Sequence, residues 1–116
     1  MLKIAVLVFA IGAIGGLVMA MRVLRGQMAP WALSLLHAAL GATGLVLTAL
    51  VVFGGSDASR MVPIALAILV VAALGGFYLA SIHARQQLPP RPVVFIHAGV
   101  AVIGFLLLCG GAFALI

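Results

Sequence analysis

Histidine occurs three times in this chain, and two of the three stand in matching surroundings. The stretches APWALSLLHAALGATGLVL (29–47) and PRPVVFIHAGVAVIGFLLL (90–108) each pass from a proline-marked loop into an apolar run. Each places His-Ala inside that run and a glycine seven residues after the histidine. A neutral imidazole offers a nitrogen lone pair to a metal or a proton. A matched pair, His37 and His97, suggests shared work: the two axial positions of a haem iron, a zinc or copper ion, or a hydrogen-bonded pair without a cofactor.

Other chemistry is thin. Asp57 is the sole carboxylate, so no acid–base carboxylate pair exists. Cys109 is alone, which excludes an intrachain disulfide and suits a small packing residue. No glycine-rich nucleotide fingerprint occurs. His83 falls near the end of a segment beside Arg85, where a histidine is expected to reach toward the membrane interface. Trp31 fits an interfacial aromatic belt, and the deeper Tyr78 is expected to pack or to bond through its hydroxyl.

The elements that must carry these residues follow from composition. The 116 residues are 67% hydrophobic and 6% charged, where a soluble domain is about a quarter charged. Mean hydropathy is +1.48. So much apolar surface requires lipid as solvent. Helices of about 20 residues span a bilayer, and four fit, over roughly 3–24, 31–53, 61–84 and 92–114. The expected fold is all-α: one membrane domain, 1–116, built as a four-helix bundle. The opening MLKIAVLVFAIGAIGGLVMA also has the layout of a signal peptide, but it has a counterpart later in the chain and is expected to be retained.

That counterpart belongs to a tandem repeat. Shifting the sequence by 60 aligns 1–56 with 61–116 without a gap, with 15 identities over 56 positions. Among them are Gly15/Gly75, Gly16/Gly76, Arg25/Arg85, Gln27/Gln87, Pro30/Pro90, His37/His97 and Gly44/Gly104. Compositional bias does not readily align a histidine, an arginine, a glutamine and a proline in one register. Two-helix units insert in the same orientation, so a pseudo-two-fold axis along the membrane normal is expected, with His37 and His97 at one depth. Each histidine lies about 10 Å inside its helix, where ionisable residues face the bundle interior and are functional by default.

Small residues share the histidine faces: Gly41 and Gly44 with His37, Gly104 with His97, and Gly16 and Gly76 on the first and third segments. Such strips pack helices closely, and they also suit a slot for a flat macrocycle between two imidazoles. Haem answers both features. His37 and His97 would be its axial ligands, with Gly16, Gly41, Gly44, Gly76 and Gly104 along its walls. Arg25 and Arg85 would meet its propionates. Each imidazole should donate its Nδ1–H to a backbone carbonyl or, for His37, to the Ser34 hydroxyl.

With four helices, facing histidines, nearby glycines and interfacial arginines, the chain resembles the small four-helix b-type cytochromes of bacterial membranes. The resemblance implies one bis-histidine haem b and one-electron exchange with a quinol or a partner redox protein. The alternative is a cofactor-free accessory or assembly subunit of a larger membrane complex. A small multidrug exporter is excluded, because it needs a carboxylate within the membrane and Asp57 lies in the 2–3 loop.

The net charge of +5 reads as topology rather than as nucleic-acid binding. Arg22, Arg25, Arg85 and Arg91 border the 1–2 and 3–4 connections, which are expected on the cytoplasmic side of a bacterial inner membrane, with both termini periplasmic. The bilayer is one partner. A quinone, a redox protein, a second copy or a larger complex are the others considered.

Overall fold

A computed structural model describes residues 1–55 and 59–115, so Asp57 lies outside the described residues. The chain forms four helices, α1 (Leu2–Leu24), α2 (Trp31–Phe53), α3 (Met61–Ala84) and α4 (Arg91–Ala112). Each is long and apolar enough to cross a bilayer. The bundle measures 44 × 22 × 19 Å, which covers a hydrocarbon layer of about 30 Å with its interfaces. This is a multi-pass, all-helical membrane protein. Its outer surface is a field of exposed Leu, Ile, Val and Phe side chains that face lipid.

The helix boundaries have local causes. Pro30 (φ −63°, ψ 139°) and Pro90 (φ −60°, ψ 133°) hold the extended backbone that precedes α2 and α4. The ends of α1 and α3 close in the same way. After α1, the Gly26 N–H bonds to the Val23 carbonyl and the Gln27 N–H to the Arg22 carbonyl, both at 2.9 Å. After α3, the Gln86 N–H meets His83 O at 2.9 Å and the Gln87 N–H meets Ile82 O at 3.2 Å. This paired closure requires a left-handed residue, supplied by Gly26 at φ +77°. At the matching place stands Gln86 at φ +57°, where a side chain is strained. Helix α4 ends at Ala112, two residues before the expected 114, and Ala114 (φ +56°) closes it similarly.

Packing is closest within the α1–α2 and α3–α4 hairpins; α1 against α4 and α2 against α3 complete a square. Helices α2 and α4 are therefore diagonal partners. The buried core, Val62, Ala65, Leu69 and Leu108, with Phe9, Leu45 and Val6 against it, fills the half nearest the termini. Thr48 is fully buried there, its hydroxyl donating to the Gly44 carbonyl at 2.8 Å.

Candidate functional site: a histidine pair across the bundle

The diagonal brings His37 of α2 and His97 of α4 together, edge to face. Their ring centres are 6.3 Å apart with planes at 81°. Both side chains are half-buried and turned inward.

Each ring is held by its hairpin partner. His37 Nδ1 lies 2.8 Å from the Gly12 carbonyl of α1, and His97 Nδ1 lies 2.8 Å from the Ala72 carbonyl of α3. A carbonyl oxygen only accepts, so Nδ1 carries the hydrogen and donates. In a neutral ring Nε2 then holds a bare lone pair. For His37 the acceptor is a backbone carbonyl on the neighbouring helix rather than the Ser34 hydroxyl one turn away on its own. Such second-nitrogen bonding is what fixes the tautomer of metal-ligating histidines.

Glycine makes the approach possible. A Cβ on Gly16 would lie 2.8 Å from His37 Cε1 and 3.2 Å from its Nδ1. On Gly76 it would lie 3.1 Å from His97 Cε1. Gly16 and Gly76 follow the accepting carbonyls by four residues, so their missing side chains uncover those oxygens to the imidazoles. They receive the histidine rings themselves.

The other predicted wall glycines have different neighbours. A Cβ on Gly44 would lie 2.6–2.7 Å from the ring of Phe9, and one on Gly104 would lie 2.8 Å from Leu69. Both grooves on the terminal side of the pair are thus filled by side chains. Gly41 has open space beside it. Arg25 and Arg85 are exposed at the ends of α1 and α3, and Arg85 Nε donates to Ser81 O at 3.3 Å.

His83 departs from expectation. It is only 8% exposed and stacks on Trp31, ring centres 4.0 Å apart and planes within 3°. It packs inward instead of reaching to the interface, because it follows Gly76 by seven residues and so shares that helix's inner face. Tyr78 is the reverse: at 52% exposed it faces outward rather than packing. At the corresponding corner between α4 and α1, Arg91 Nη2 donates to the Leu24 carbonyl at 3.0 Å.

The pair's spacing limits its chemistry. One ion held end-on between two imidazoles, with metal–nitrogen bonds of about 2.0 Å and about 1.1 Å from nitrogen to ring centre, sets the centres about 6.2 Å apart. A direct N–H···N bond of about 2.9 Å would set them about 5.1 Å apart. The observed 6.3 Å is longer than a direct end-on N–H···N bond would set. No third histidine, cysteine or carboxylate joins the pair among the described residues. Comparison with family models, curated proteins and solved structures finds no match for this chain.

Proposed function

We propose that this chain is a membrane b-type cytochrome that holds one haem through His37 and His97 and passes single electrons to or from a quinol or a partner redox protein. The observation that carries this reading is the 6.3 Å separation of two imidazoles whose Nδ1–H groups are already committed to backbone carbonyls. With Nδ1 carrying the hydrogen, the Nε2 lone pair of each neutral ring is left for an electrophile that the two rings could share.

When bound, the haem iron supplies a reversible one-electron couple, tuned by its axial ligands and burial. The chain's own residues do the rest. The Gly12 and Ala72 carbonyls orient the imidazoles and fix their tautomers. Gly16 and Gly76 let the rings approach α1 and α3. Phe9 and Leu69 close the terminal side, while half-buried Ala20, Ala80 and Ser34 leave smaller side chains toward the arginine end. Arg25 and Arg85 would receive the propionates at that end. The contacts His37–Gly12 and His97–Ala72 lie 60 residues apart in sequence, which supports the reading of the halves as a duplicated unit. The four-arginine end is assigned to the cytoplasmic side of an inner membrane.

A second reading is favoured by Phe9 and Leu69: a core already filled at Gly44 and Gly104 suits a cofactor-free subunit of a larger complex. A reduced-minus-oxidised absorption spectrum of the detergent-purified, haem-replete protein separates the two. Low-spin b-type bands lost in both His37→Ala and His97→Ala support the cytochrome. A colourless protein refutes it.

A further inference from the structure

We propose that the corner between α1 and α4 at the arginine-bearing end binds the headgroup of an anionic phospholipid carrying two phosphodiesters. This inference rests on Arg91 and Arg22, which the proposed haem contacts do not use; Arg25 is shared with them. Arg91 begins α4, and its guanidinium reaches across to the carbonyl of Leu24, the last residue of α1, at 3.0 Å. There the backbone folds back on itself, with Gly26 bonded to Val23 and Gln27 to Arg22. Arg22 and Arg25 therefore flank, within one turn, the carbonyl that Arg91 touches. All three arginines are exposed.

Guanidinium groups stay charged at any physiological pH. Three of them are carried by the end of α1 and the start of α4, while the chain's only acidic residue, Asp57, falls between α2 and α3 in sequence. The Leu24 carbonyl occupies one of the five donors of Arg91. Like charges carried on adjoining helix ends favour an anion, and at a bilayer surface the concentrated source is lipid phosphate. A doubly charged headgroup matches three cations better than a single phosphate does.

The opposite corner shows that this is not a property of every helix end here. Trp31 takes the place of Arg91 and Ile82 that of Arg22 under the 60-residue shift. Trp31 covers His83, and Arg85 folds its Nε onto its own helix. One corner has become aromatic and the other cationic.

Native mass spectrometry of the full chain in neutral detergent, titrated with diphosphatidylglycerol, phosphatidylglycerol or phosphatidylcholine, tests the proposal. One diphosphatidylglycerol should be held well beyond phosphatidylcholine. At about fivefold per arginine near a membrane surface, Arg22→Gln should weaken it about fivefold and Arg22→Gln with Arg91→Gln about 30-fold. Arg22→Gln leaves the Arg91–Leu24 bond in place, so it remains informative if the double variant fails to fold. Arg85→Gln should change binding less than twofold. Equal retention of phosphatidylcholine, equal weakening by Arg85→Gln, or full displacement of the lipid by millimolar inorganic phosphate would each overturn it.

Discussion

Gly16→Ala and Gly76→Ala are the same substitution in two matching places, yet the geometry sets them apart. Ordinary van der Waals contact begins near 3.4 Å. The new methyl at position 16 would stand 2.8 Å from His37 Cε1, short by about 0.6 Å, whereas at position 76 it would stand 3.1 Å from His97 Cε1, short by about 0.3 Å. Moving the His37 ring by that shortfall stretches its 2.8 Å bond to Gly12 toward 3.4 Å, beyond the useful range. The lost bond costs about 1 kcal/mol and the overpacking about 1–3 kcal/mol. Replacing glycine by alanine inside a helix returns about 1 kcal/mol. Gly16→Ala should therefore destabilise by about 1–3 kcal/mol, while Gly76→Ala should fall within about 1 kcal/mol of the parent. Thermal unfolding of the two variants in one detergent, followed by circular dichroism, reads this difference without any cofactor. A Gly16→Ala protein as stable as Gly76→Ala would refute the claim that the first glycine exists to seat an imidazole.

Two further outcomes rest on local geometry. Gln86→Gly should raise stability by about 1 kcal/mol, because it removes a side chain from φ +57°, and the same unfolding experiment checks it. Trp31 is the sole tryptophan, so its fluorescence reports the His83 stack with no other indole contributing. His83→Ala should change that emission and cost about 0.5–1.5 kcal/mol, and an unaltered spectrum would contradict the stacked geometry.

The four spans were legible because a bilayer imposes length and hydropathy together; the structure moves no helix end by more than two residues from the expected positions. The histidine pair was legible from the 60-residue register. What the rings touch was not. Their acceptors are the Gly12 and Ala72 carbonyls, and since every residue owns a carbonyl, sequence carries no mark for the ones used. The glycine strips were visible as strips, but spacing along one helix does not say what a neighbouring helix inserts. Thus Phe9 and Leu69 at Gly44 and Gly104 went unseen. His83 did leave a signal, its seven-residue interval from Gly76, which outweighs its nearness to a helix end.

The oxygen that orients each imidazole belongs to the same hairpin as the imidazole itself. Either two-helix unit thus carries a finished half of the centre, with its ring aimed and its proton placed, before the other unit arrives. Docking has only to bring two prepared halves level. The two outer corners, where Trp31 stacks on His83 and Arg91 reaches the Leu24 carbonyl, take no part in that aim.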